Sequence, residues 1–401
     1  MTDRNTTVEA VGVGDGWHTA RRRDATPAFT PQEYADRLRG VQDDMARAGL
    51  DILLVHTPEN ICYLSGYETS GYFEYQVMVV PVAGEPTMLV RNVEQLNVDE
   101  HTWLPGAYVW RDGTDYLRAT VDLVEAIAAG ARVRVALEKH SWFVTAQVAG
   151  ALEAGLDRHR LVDAGHLVET RRLVKSPAEQ QLIRESARIA DASMAAALGV
   201  AAAGRTEREV AAAAHHANIL AGGEYPALPH YVSSGARSEV GHATWSDKIL
   251  EPGDLIKLEF LGVRRRYHAG ITRAVSVGRA GASVRERAAV ALNLQEEVFA
   301  DLRPGAATHD VTVRARRSLA GRGLAPIKLR LGYSMGIGFP PIAGEGKTAD
   351  FREGSPVTLA AGMTFHMLAV VGLDMTFSDT VLITPAGFER LTGTARELLE
   401  V

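Results

Sequence analysis

The 401-residue sequence holds a single cysteine, Cys62, so no disulfide framework and no cysteine-based zinc site can form within one chain. It has no apolar run approaching the roughly 18 residues needed to cross a bilayer. Its first segment, MTDRNTTVEAVGVGDGW, lacks the basic-then-apolar order of a signal peptide. A cytoplasmic protein with no membrane partner is the expectation. Dense basic stretches are missing too. The formal net charge is -6, and the triplets Arg21–Arg23 and Arg264–Arg266 are too short to suggest nucleic-acid binding. What is present is a soluble globular composition, 46% hydrophobic and 23% charged, on a chain too long for one ordinary core, so two domains are expected.

Residues 1–26 are polar and contain glycine, as in a tail that is mobile or contacts a partner. From Thr30 the pattern changes. Tyr34, Leu38, Val41, Met45 and Leu50 recur at helical spacing, and the segments DILLVH, YQVMVVPV, TMLV and VRVALE read as strands. Strands alternating with helices predict a small α/β domain over residues 27–170. The stretch SPAE at 176–179 is a helix start: Ser176 caps, Pro177 fits the first turn and Glu179 completes a capping box. Thr206 and Glu209 repeat that signal before a second helix. From Tyr225 onward strands and turns dominate, interrupted by helices near 283–301 and 308–322. A second domain is therefore expected over residues 171–401.

The acid/base side chains of this second half stand in unexpected places. Glu259 lies inside the apolar run LIKLEFLG, although an unpartnered buried carboxylate costs several kcal/mol or more. His242 precedes the turn Pro252-Gly253-Asp254, and His366 sits between Phe365 and Met367. Each has a plain structural reading. A strand histidine is usually a hydrogen-bonded structural residue, and Glu259 alone could pair with one of Arg264–Arg266. The glycines of GYSMGIG and GEG are by themselves ordinary turn residues.

Taken together and in order, GHATWSD, LEPGDLIKLEFLG, YHAGITR, GYSMGIG and GMTFHM followed by SDTVLIT resemble the pita-bread superfamily of creatinase, methionine aminopeptidase and prolidase. The resemblance runs from about Asp51 to Leu391. It implies an α+β protein: a C-terminal pita-bread domain preceded by a smaller creatinase-type α/β domain. The peptidases of this superfamily bind two metal ions through Asp, Asp, His, Glu and Glu. Those positions fall here on Glu259, Gly270, Met335, His366 and Ser378. Glycine and methionine cannot replace hard oxygen and imidazole donors, so no metal and no other cofactor is expected.

Among metal-free branches, the chain is most similar to the ectoine hydrolase subgroup, at EYPA, His242–Asp247, Leu258–Gly262, RYHA, GYSMGIGFPP and GMTFH, with creatinase as a second likeness. After Pro341 and again at AVVGLDMTFSD the wording departs from that subgroup, and there the alignment of Asp374 and Asp379 is ambiguous. The resemblance implies hydrolysis of a non-peptide C–N bond in a small, nitrogenous cyclic amidine or guanidino compound. Glu259 is then nucleophile or cation anchor, with His242 and His366 moving protons. Tyr231, His268, Glu345, Tyr72, Phe73 and Tyr75 would contact substrate. Family members of this two-domain type imply a homodimer. Three other readings stay open: a biosynthetic ring closure or elimination in the same pocket, an Xaa-Pro peptidase-like activity, and a non-catalytic binding protein.

Overall fold

The computed structural model describes residues 17–19, 27–323 and 330–401. The chain divides into two compact units that part between Arg171 and Arg172. In the first come β1 (Trp17–Thr19), α1 (Pro31–Ala48), β2 (Ile52–Val55), α2 (Pro58–Ser65), β3 (Val77–Pro81), β4 (Thr87–Arg91), α3 (Gln95–His101) and β5 (Gly106–Trp110). Then follow α4 (Tyr116–Ala128), β6 (Arg134–Leu137), α5 (Ala146–Gly155), β7 (Arg160–Asp163) and α6 (Leu167–Arg172). The strands form one mixed sheet in the order β1-β5-β4-β3-β2-β6-β7. Helix α1 begins where Thr30 accepts a hydrogen bond from the Glu33 amide, and it ends at Gly49 in the left-handed region, φ 63°. Strands β2 and β3 are buried along their whole length, which is why they read as unbroken apolar runs. Of the polar segment 1–26, Trp17–Thr19 is an edge strand paired antiparallel with β5; the remainder, including Arg21–Arg23, lies outside the described residues.

The second unit holds α7 (Pro177–Val200), α8 (Glu207–Leu220), β8 (Tyr231–Ser234), β9 (Leu255–Arg264), β10 (Tyr267–Ser276), α9 (Ala282–Ala300) and α10 (Thr308–Gly321). It continues through β11 (Gly332–Ser334), β12 (Thr364–Gly372), β13 (Met375–Thr384), β14 (Gly387–Arg390) and β15 (Leu399–Glu400). Both expected capping boxes are present, Ser176 with Glu179 and Thr206 with Glu209. The sheet runs β11-β12-β13-β10-β9-β8, with β14 added on β13 and β15 on β10. Among the described residues no helix is long and apolar enough to cross a membrane.

Strand period sorts β9 into two faces. Ile256, Leu258 and Phe260 pack with Ile271 and Val275 against Ala190, Met194 and Val210 of α7 and α8. Each such large side chain stabilises by about 1.5–3 kcal/mol when buried. Gly262 allows this layer to close, because a Cβ there would lie 1.9 Å from the Ser186 carbonyl oxygen. Lys257, Glu259 and Leu261 therefore point to the opposite face. The hairpin from β9 to β10 turns on Arg265 and Arg266, both left-handed at φ 49° and 63°. The Glu224 carboxylate accepts both of their amide hydrogens, at 2.6 and 3.0 Å, and so holds a turn that glycine or asparagine usually makes.

Candidate active site

The face that carries Glu259 lines a cavity of about 520 Å³ within the second unit. Strand register builds it. Tyr231 on β8 and Thr272 on β10 lie directly opposite Glu259, and Ser378 on β13 lies opposite Thr272. Lys257, two residues before Glu259, shares its face and the cavity wall, as do His242, Arg330, Tyr333 and Lys347. His242 stands on the loop between β8 and β9 with φ 59°, its ring 5.6 Å from that of Tyr231. That loop is pinned from below: Glu207, the first residue of α8, accepts the Ser234 and Ser246 amides and hydroxyls at 2.7–2.9 Å and an arginine hydrogen from Arg237.

Among the described residues Glu259 has no hydrogen-bond or ion-pair partner within the chain. Burial pushes its carboxyl up to about 7, with the Lys257 charge pulling the other way. The expected alternative, pairing with Arg264–Arg266, is not what forms. Arg264 lies 3.7 Å from Glu185, and Arg266 donates to the Gly338 and Tyr225 carbonyls while stacking over the Tyr225 ring at 4.0 Å. Lys257 donates to the Val240 carbonyl at 3.0 Å, and burial lowers its pKa.

His366 lies one layer behind the wall. It is fully buried; Tyr333 Oη is 2.9 Å from Nδ1 and Ser378 Oγ 2.5 Å from Nε2. Ser378 in turn donates to Thr272 Oγ1 at 2.7 Å. With Ser378 donating to Thr272, Nε2 of His366 carries the hydrogen and Nδ1 accepts from Tyr333. Burial holds this imidazole down at about 4, in its neutral form. The ring meets the cavity through Tyr333, whose hydroxyl is held up by burial and by the Glu259 charge. Tyr333 is not legible in the sequence, because GYSMGIG reads as a glycine turn; Lys257 is legible in its period-two spacing to Glu259.

His268 and Glu345 are engaged within the second unit. His268 is fully buried, with Nε2 accepting the Ala227 amide at 3.0 Å and Nδ1 donating to the Arg266 carbonyl at 2.8 Å. Glu345 is held by Arg172 at 3.1 Å, Lys175 at 2.8 Å and the Ser334 hydroxyl at 2.8 Å. Both residues brace the cavity frame, and neither presents a spare polar atom to a ligand. In the first unit, Tyr75 stacks on Tyr116 at 4.5 Å against the core and Tyr72 lies edge-on to Phe143, so the run is no single stacking surface; of the three only Phe73 is exposed, at 75%.

The five positions that carry metal ligands in pita-bread peptidases converge here but do not form a ligand set. Gly270 supplies no side chain, and the space its Cβ would enter is taken by the His366 ring, 3.0 Å away. Met335 is fully buried against Ala227, Leu261 and Ala343. Ser378 and His366 are committed to each other. Glu259 alone offers a free hard donor, and one carboxylate does not hold a two-metal centre. Asp379 faces away from the cavity, onto Arg273 at 2.9 Å, and Asp374 pairs with Arg287.

Comparison with known proteins agrees with this architecture. The Creatinase/Prolidase N-terminal domain matches residues 37–174, and Metallopeptidase family M24 matches residues 181–385. Ectoine hydrolase from Halomonas elongata is 28% identical over 395 residues, covering 92% of this chain and 98% of that protein. Xaa-Pro dipeptidase from Pyrococcus furiosus is 27% identical over 373 residues, covering 91% and 99%. The crystal structure of the prolidase from Pyrococcus horikoshii superposes with a TM-score of 0.79 at 23% identity, covering 91% of this chain and all of that one, a likeness of fold. With both domain types in their expected order and a pita-bread sheet beneath the cavity, the chain belongs to metallopeptidase family M24.

Proposed function

We propose that this M24 protein hydrolyses a C–N bond of a small cyclic amidine or guanidino compound without a metal ion. The observation that carries the reading is Glu259: an unpaired carboxylate on the floor of a cavity, where relatives place a metal ligand. An amidinium supplies the charge that Glu259 lacks and matches a carboxylate in shape and hydrogen bonding. Lys257, Arg330 and Lys347 in the same wall favour a substrate that also carries a carboxylate. The similarity to ectoine hydrolase supports the same class.

In the reaction, one C–N bond of the amidine is exchanged for a C–O bond from water, giving an amide and a free amine. Glu259 either attacks the amidine carbon, forming a bond that water then cleaves, or holds the cation while water attacks directly. The departing nitrogen gains a proton in both cases. His242, in the cavity wall, and the Tyr333–His366–Ser378 chain are placed to move that proton.

Two measurements follow. A mass-spectrometric screen of cyclic amidines, guanidino acids and Xaa-Pro dipeptides is expected to show ring opening of a cyclic amidine and intact dipeptides. Turnover of dipeptides alone overturns the reading. Because Glu259 must be ionised to act, kcat/KM is expected to rise with pH through about 7, with the acid limb of kcat displaced lower once a bound cation stabilises the carboxylate. An acid limb of kcat/KM near the ordinary carboxylate value removes Glu259 from the chemistry.

A further inference from the structure

The first unit contains a cluster that the proposed reaction does not use. His140 lies in the loop after β6, His166 immediately precedes α6, and Glu169, three residues on, lies in its first turn. His140 Nε2 is 2.8 Å from Glu169 Oε1, and the His140 and His166 rings are 4.3 Å apart between centroids. One ligand-capable atom from each of the three lies within 4.8 Å of the others. The carboxylate is aimed by its surroundings. Asn60 Nδ2 donates to Glu169 Oε1 at 2.9 Å and to Glu138 Oε1 at 2.6 Å, while Glu138 Oε2 accepts the His56 and Thr57 amides at 2.8 Å. Asn60 and Glu138 are almost wholly buried, so the scaffold behind the cluster is fixed. His140 Nδ1 is buried without a hydrogen-bond partner, and the His166 side chain is exposed.

We infer that His140, His166 and Glu169 form a binding site for one divalent transition-metal ion of the zinc type. Two imidazoles and one carboxylate are donors that zinc accepts, leaving a fourth position for water. Zinc bonds of about 2.0–2.1 Å put tetrahedral ligands roughly 3.3 Å apart, so the cluster must draw in by about 1.5 Å. A rotamer change at exposed His166 provides that movement. A fixed amide behind the carboxylate is the outer support that such sites carry. The ion would tie the loop after β6 to α6.

The test is calorimetric titration of the untagged full-length protein with zinc chloride, read together with the melting temperature. The expected result is one zinc per chain and a higher melting temperature with zinc. His166→Asn, at an exposed position, and Glu169→Gln should each weaken binding by no less than the about 10–100-fold seen when an outer support is lost. Glu259→Gln and His366→Asn should leave it unchanged. Absence of binding at micromolar zinc, or binding that survives both His166→Asn and Glu169→Gln, overturns the inference and leaves the cluster as a histidine–glutamate ion pair.

Discussion

Replacing Glu259 by glutamine is expected to lower turnover of the cyclic amidine on the order of a thousandfold or more while the protein stays folded. The change keeps size and hydrogen-bonding capacity and removes only the charge and the nucleophile. Stability should respond in the opposite direction. The folded protein holds the Glu259 proton up to about pH 7, whereas the unfolded chain releases it near 4.5. Between those values the native state binds more protons, so the wild type loses stability as pH rises through that window. Glutamine has no such dependence, and at pH 7 or above the variant should be the more stable by on the order of 1–3 kcal/mol. A structural carboxylate paired with an arginine would give the reverse: a stranded cation and a loss of about 3–5 kcal/mol. Melting temperature and rate, taken on one preparation, separate the two roles. A variant that melts early and turns over normally ends the catalytic assignment.

The second large effect is expected at Asp379, on β13, on the face of the same sheet that turns away from the cavity. Its carboxylate is fully buried and accepts from Arg273 at 2.9 Å, Thr392 at 2.7 Å and Gln295 at 3.1 Å, with Arg390 at 3.3 Å. Arg273, fully buried as well, donates to the Thr272 and Ser378 carbonyls at 2.8 Å. The pair therefore clamps the backbones of β10 and β13 directly beneath the site. Asp379→Asn leaves a buried guanidinium without its counter-charge and should cost about 3–5 kcal/mol. In a unit of this size that corresponds to a fall in melting temperature of roughly 10 °C. A single variant that melts with the wild type shows that the clamp contributes little.

The parts of this fold that were legible in the sequence are those fixed by local chemistry. The capping boxes at Ser176 and Thr206, the cap at Thr30 and the apolar runs of β2, β3, β4 and β6 each declare themselves within a few residues. Strand β5, GAYVW, did not, because five residues without alternation resemble any buried segment. The site was legible as a set of words rather than as a shape. Glu259 stood out because a charge in an apolar strand demands a reason, and His242 because of its spacing to a turn. What the words could not supply was orientation. His268 stands in the matching word RYHA and Glu345 a few residues past GYSMGIGFPP, yet the backbone around Ala227 and Arg266 and the cations Arg172 and Lys175 use up their polar atoms. Tyr75 turns into the core against Tyr116 while Phe73, two residues earlier, stays exposed. Tyr333 came into view only when β11 and β12 were paired, which sets it opposite His366.

In the proposed reaction the M24 fold works with Glu259 and without a metal. The most direct test is turnover of the cyclic amidine by protein stripped with chelator until elemental analysis finds well under one transition-metal ion per chain. Metal independence requires a rate equal to that of untreated protein, both for the wild type and for His166→Asn. A rate that collapses on stripping and returns with zinc, manganese or cobalt would contradict it.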